Sequence, residues 1–316
     1  MKHMQRSSKK GPFVLVAGIL LLTISLVIPG DAGKIPGPQN QLRIPELTSE
    51  KTEKMVDVGG RELHCILYGQ GEPTVVLISG FNAPQETWNA IIPALAETAT
   101  VVTYDRAGIG KSTLRDLPAH GKQSALDLHV LLEKLDLPEP YVLVGHSYGV
   151  RVVRLYASIY PDTVGGMVFL DGQHPDILDE QKKVLSGDDL ARLEQMEEMM
   201  KPRGNPRTER DYVYESLEQD KQITSLPKVP CVLVSAGARR EGGLPPGFSD
   251  KAVEKLTKVG LEMQKRLVQE IPGTEHIILD DAGHFVHLEK PEKVISIILE
   301  LIMEVRSPQY WTRRKS

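Results

Sequence analysis

Gly145-His146-Ser147-Tyr148-Gly149 is a short stretch whose residue types and spacing could make a nucleophile. A serine hydroxyl is a poor nucleophile unless a base takes its proton, so it must stand clear of its own backbone, where an imidazole can reach it. A G-x-S-x-G turn between a strand and a helix gives that position, because glycine on either side leaves room for the two elements to close on each other. The flanks have the right character. Tyr141-Val142-Leu143-Val144 reads as a strand, and beyond the turn Val150, Val153, Leu155 and Ala157 recur at helical spacing. Such a turn also aims the first backbone N–H groups of the helix, Tyr148's among them, at whatever lies over Ser147, with the positive end of the helix dipole behind them.

The 316 residues are 41% hydrophobic and 25% charged with a formal net charge of −4. These are the proportions of a globular protein with a full core, and the charge argues against general nucleic-acid binding. Residues 1–33 stand apart. Lys2, Arg6, Lys9 and Lys10 precede an uncharged apolar run over 13–28 that ends at Pro29-Gly30. This is the pattern of an export signal or a single membrane anchor through residues 11–30, and either places the rest outside the cytoplasm, secreted or held at the membrane. Residues 34–54, rich in Pro, Gly, Gln and charge, read as a linker. Residues 307–316 form a basic tail. Cys65 and Cys231 sit in apolar strand patterns and are expected as small core residues without a bridge.

Between linker and tail, over 55–306, eight strand-like runs occur at 55–58, 61–68, 74–78, 99–104, 141–144, 164–170, 230–235 and 276–279. Helical periodicity separates them at 88–96, 123–135, after the Ser147 turn, at 250–269 and at 291–305. The alternation is interrupted by a strongly charged helical stretch at about 176–226, read as a lid; Met196, Met199 and Met200 in it could form an adaptable apolar ceiling. The expected fold is α/β: a mainly parallel eight-stranded sheet with helices on both faces and a helical lid insertion. Functional groups gather at the carboxyl ends of such strands, where Gly80-Phe81, Ser147, Asp171 and His284 fall.

Four motifs now stand in order: Ser79-Gly80-Phe81-Asn82 after the third strand, D-R-A-G-I-G-K-S at 105–112 after the fourth, G-H-S-Y-G after the fifth, and A-G-H-F-V-H-L-E-K-P-E-K-V from Ala282. Together they resemble the α/β-hydrolase fold family, in its serine hydrolase or esterase-like branch, over about 55–305. The resemblance implies Ser147 as nucleophile, His284 as base and an acid between them in chain order. The acid most often follows the seventh strand in that family, yet 229–243 holds no aspartate, leaving Glu241 or the later Asp250. Other branches place it after the sixth strand, where Asp171 stands; Asp171 is preferred, with Glu241 and Asp250 as alternatives. Asp280 and Asp281 lie too close to His284 along the chain to orient it easily. The implied oxyanion donors are the backbone N–H groups of Phe81 and Tyr148. Ser79 departs from the histidine often found there, which leaves the donor in place but its support open.

Among the nine histidines, His287 reads as a solvated neighbour of the base and His146 as packing beneath the turn. Asp105 and Arg106 read as structural ties, and the G-K-S at 110–112 lacks the longer phosphate-loop framework. The implied activity is acyl transfer from a small carboxylic ester, with no cofactor, no metal and no nucleic acid. A metal-free perhydrolase or haloperoxidase is the nearer enzyme alternative. An idle domain that binds a ligand or partner at the cell surface is the alternative outside catalysis. Dehalogenases and epoxide hydrolases of this fold use a carboxylate nucleophile, and the serine argues against both.

Overall fold

The computed structural model describes residues 51–114, 118–201, 208–237 and 247–310. β1 (Lys51–Asp57) and β2 (Glu62–Tyr68) pair as an antiparallel hairpin. Its turn uses Gly59 and Gly60 at φ 92° and 108°, a region open to glycine without steric cost. β1 begins at Lys51, inside the stretch expected to be linker. Pairing with β2 extends the strand expected at 55–58 back to Lys51, and because these first residues are exposed on an edge strand they carry no apolar alternation to reveal them.

β3 (Thr74–Ile78), α1 (Ile92–Ala96), β4 (Val101–Tyr104), α2 (Gly121–Leu135), β5 (Tyr141–His146), α3 (Tyr148–Ile159) and β6 (Val164–Leu170) follow as strand and helix in turn. The insertion holds α4 (Ile177–Val184), α5 (Gly187–Met200) and α6 (Val213–Lys221), the last preceded by a 3-10 turn at Glu209–Tyr212. β7 (Cys231–Ala236), α7 (Asp250–Gln269), β8 (Glu275–Leu279), α8 (Val286–Glu289) and α9 (Pro291–Arg306) follow among the described residues. The sheet order is β1-β2-β4-β3-β5-β6-β7-β8, and every pairing from β4 onward is parallel. The helix expected over 88–96 is divided into a 3-10 turn at Gln85–Trp88 and α1. Pro93 is the reason: it has no N–H to donate, so it fits only the first turn of a helix and cannot lie within a longer one.

β3, β5, β6 and β7 are buried along their whole length, which is why they read as continuous apolar runs. One core, including Val76, Leu128, Val153 and Phe169, lies on the α2 and α3 face. Another, including Val75, Leu77, Leu95 and Ile298, lies on the α1 and α9 face. The insertion has its own core of Leu193, Met196, Val213 and Leu217 against Leu256 and Met263 of α7. Met196 is spent there while Met199 is 40% exposed, so the methionines do not share one apolar ceiling. Cys65 and Cys231 are free and buried. Among the described residues no helix is long and apolar enough to cross a membrane. The run at 13–28, read as signal or anchor, lies outside them, as do Glu241 and residues 311–316.

α3 and β3 approach very closely, so that a Cβ on Gly149 would collide with the carbonyl oxygen of Ile78. Gly149→Ala is expected to lower the unfolding free energy by about 1–3 kcal/mol, read as a reduced urea midpoint with an unchanged slope. An unaltered midpoint would contradict this contact.

Candidate active site

Ser147 sits between β5 and α3 at φ 53° and ψ −115°, a conformation that L-residues seldom adopt. The turn is held by its surroundings. Ser147 N–H donates to Leu170 O at 2.9 Å, and Gly145 faces Gly149 so closely that a Cβ would lie 2.7 Å from the Gly149 carbonyl oxygen. The consequence is a hydroxyl turned away from the strand, as the motif requires.

Two further loops reach it. Asp171, just beyond β6, also has positive φ, 46°, and His284 lies between β8 and α8. His284 Nε2 is 3.0 Å from Ser147 Oγ, and His284 Nδ1 is 2.6 Å from Asp171 Oδ2. Because a carboxylate only accepts, Nδ1 carries the proton toward Asp171, which leaves Nε2 as the acceptor for the serine O–H. Asp171 Oδ1 accepts from Ala236 N–H at 3.1 Å and Gln264 Nε2 at 2.9 Å. Gln264 was not anticipated. Ser235 Oγ donates to its Oε1, which turns the amide so that Nε2 faces Asp171. Its sequence signal was a polar residue on the otherwise apolar face of α7, beside Leu256, Met263 and Leu267. Of the alternative acids, Asp250 is exposed at the start of α7, and exposed Asp281 is paired with Lys290 at 2.5 Å.

The backbone around His284 is fixed from two sides. His146 Nε2 donates to His284 O at 2.9 Å, and Gly283 N–H donates to Glu289 Oε2 at 2.7 Å. His146 lies beneath the turn as expected, and burial, then its neighbours His287 and His284, hold its pKa well below the ordinary value. His287 corrects the expectation of a solvated neighbour: α8, too short to be legible, turns it fully inward. Its ring packs at a tilt 4.4 Å from that of Trp88 and 4.5 Å from that of His146, with no protein hydrogen bond to either ring nitrogen among the described residues. Burial, followed by the charge of His284, lowers its pKa from 6.5 to about 3.

Phe81 occupies a turn closed by Ala83 N–H donating to Gly80 O at 3.2 Å, with Asn82 at φ 49°. The turn lies against the serine, for a Cβ on Gly80 would come 3.5 Å from that of Ser147. Ser79, the departure noted in the sequence, has its own support: Oγ accepts from Trp88 Nε1 at 3.0 Å and donates to Pro84 O at 3.3 Å. Tyr148 opens α3, and its ring meets the Phe81 ring edge to face at 6.0 Å. Ser147 is 8% exposed, so the site is nearly covered. A cavity of about 190 Å³ between α4 and α7, lined among others by His174, Ile177, Leu256 and Gln264, touches neither Ser147 nor His284. Among the described residues, no three His, Cys, Asp or Glu side chains could together hold a metal ion.

With the fold and this geometry in place, the comparison with known proteins gives the class. The chain matches the alpha/beta hydrolase family over residues 75–297 and belongs to it. It is 27% identical over 222 residues to the uncharacterized protein YqjL of Bacillus subtilis, covering 70% of this chain and 83% of that one. It is 34% identical over 123 residues to a fluoroacetate dehalogenase of Burkholderia sp, but this spans only 37% of this chain and 40% of the dehalogenase. A thermophilic esterase from Thermogutta terrifontis shares the fold at a TM-score of 0.58 and 20% identity, covering 82% of this chain and all of the esterase.

The buried histidines set an acid limit on stability. His287 titrates near 3 when folded and near 6.5 when free, so between these values the unfolded chain binds the extra proton. Stability from this group is therefore complete above about pH 6.5 and is lost as pH falls toward 3, at up to about 1.4 kcal/mol per pH unit. His287→Phe is expected to flatten the dependence of unfolding free energy on pH between 4 and 6.5, measured by urea titration. An equal slope in variant and wild type would show that His287 does not contribute it.

Proposed function

We propose that the protein is a serine hydrolase working by acyl transfer on a small carboxylic ester. The observation that carries this reading is the hydrogen-bonded series from Ser147 Oγ to His284 Nε2 at 3.0 Å and from His284 Nδ1 to Asp171 at 2.6 Å. Ser147 attacks the ester carbonyl while His284 takes its proton, and Asp171 holds the imidazole in the required tautomer and balances its positive charge. Charge growing on the carbonyl oxygen is met by the backbone N–H groups of Phe81 and Tyr148. His284 returns the proton to the leaving alcohol, and a water activated by the same imidazole releases the acid.

Family membership supports hydrolysis, and the nucleophile narrows it. A serine that attacks an acyl carbon forms an ester, which water can open. One that displaces halide or opens an epoxide at a saturated carbon forms an ether, which it cannot. The relatives named for dehalogenation and epoxide hydrolysis therefore lend the framework rather than the reaction. The near-complete cover over Ser147 favours a small substrate; it is also the one observation that favours the second reading, a ligand-binding domain with an idle site.

Labelling with a fluorophosphonate decides between them without a guess at substrate. The expected result is an adduct on Ser147, located by mass spectrometry and absent in His284→Ala, with Asp171→Asn reacting more slowly by about 10³–10⁴-fold. A folded wild type that forms no adduct and hydrolyses no nitrophenyl ester would favour the idle domain.

A further inference from the structure

Arg106, expected only to tie strand ends together, is buried behind the turn that carries Phe81. Its Nη1 donates to Ser79 O at 2.6 Å and its Nη2 to Gly80 O at 2.7 Å. The second contact matters most, because Gly80 C=O and Phe81 N–H belong to one peptide group. That group is planar and trans, so its oxygen and its hydrogen point in opposite directions. A guanidinium gripping the oxygen therefore fixes where the hydrogen points, and by drawing electron density toward the oxygen it makes the N–H a stronger donor.

Arg106 is held in turn by the lid. Glu209, in the 3-10 turn before α6, accepts from Arg106 Nε at 2.5 Å through Oε2 and from Nη2 at 2.9 Å through Oε1. Both side chains are almost fully buried. The same Oε1 accepts Asn82 N–H at 2.8 Å, so the lid carboxylate holds the far side of the turn as well. Phe81 thus lies between a carbonyl fixed by Arg106 and an amide fixed by Glu209. The second donor is also tied to the lid: the Tyr148 hydroxyl is 3.0 Å from Ser216 Oγ of α6, and Arg106 lies over the Tyr148 ring.

We infer that Glu209 is a positioning residue of the lid, which through Arg106 and Asn82 sets the direction of the Phe81 N–H, so that seating of the lid and completion of the oxyanion site are one event. This rests on the acyl-transfer reading of Ser147. The turn has φ > 0 at Asn82, and the Ala83 N–H bond to Gly80 O lies within the turn itself; the ties from Arg106 and Glu209 are the ones that hold the Phe81 peptide plane against the rest of the fold.

The test uses the full chain with p-nitrophenyl acetate and a fluorophosphonate, comparing wild type with Glu209→Gln and Glu209→Ala. Removal of one oxyanion donor outright costs about 10²–10³ in kcat; misdirecting one is expected to cost about ten- to hundredfold. The expected result is that fall in kcat and in labelling rate, with KM and the pH midpoint of the His284-dependent limb unchanged, and a smaller fall for Gln, which retains an acceptor for Asn82. If the Ala variant does not fold, the Gln variant decides by itself. Labelling of wild type with variant kcat within twofold, or a change confined to KM, would overturn the role of Glu209 and leave the Ser147 reading intact. No adduct on wild-type Ser147 would overturn both.

Discussion

A carboxylate removed from water must be given charge-complementary partners or it destabilises the fold that buries it, and Asp171 has none of its side chain exposed. Among its partners are Ala236 N–H at the end of β7, Gln264 of α7, and His284 from the loop after β8. Each partner constrains an element. The β6 and β7 register must bring Ala236 beside Asp171, α7 must turn one polar residue inward, and the last loop must cross back over the sheet. The short contact between Asp171 and His284 is therefore a condition that the carboxyl half of the sheet satisfies together.

A second set of charges, with Arg154 and Asp220 buried and Glu270 at its accessible edge, locks the lid onto the same framework. Arg154 of α3 pairs with Asp220 of α6 at 2.8 Å and with Glu270 beyond α7 at 2.7 Å, and Glu270 also meets His174 at 2.8 Å. Burial pushes the Glu270 pKa up, but His174 and Arg154 outweigh it and leave it below the ordinary carboxylate value. Ion pairs of this kind return little net stability against desolvation, yet breaking one leaves a buried charge uncompensated. They act as a lock on arrangement: α6, α7 and the loop after Asp171 can meet the helix that opens at Ser147 in one way only.

The parts of this arrangement that were legible in the sequence are those whose physics is local. Buried parallel strands read as apolar runs, and the bounds of β3 and β6 agree with those runs. The Ser147 turn announced itself because its glycines answer a steric demand within five residues. Asp171 and His284 were legible through position at strand ends, although only the fold could bring them within 2.6 Å. What escaped was long-range or exposed. The first four residues of β1, before the run expected at 55–58, take their order from a neighbouring strand, His287 from a helix of four residues, and Gln264 from a partner distant in the chain. Glu209 reads as one more charge in a charged insertion until the guanidinium it faces is seen.

Backbone strain follows the same geography. Among the described residues, four that are not glycine have positive φ: Asn82, Asp136, Ser147 and Asp171. Asp136 is the left-handed C-cap of α2, a common helix ending. The other three sit on the loops that make the site, and each is tied through its own backbone N–H: Asn82 to Glu209, Ser147 to Leu170 O, and Asp171 to Val234 O at 2.7 Å. Such conformations cost of order 1–3 kcal/mol each and persist only where the surroundings over-determine them. Two of the three ties run to adjacent strands of the sheet. The third runs to the lid, which makes the Phe81 turn the strained element whose geometry the sheet alone does not secure.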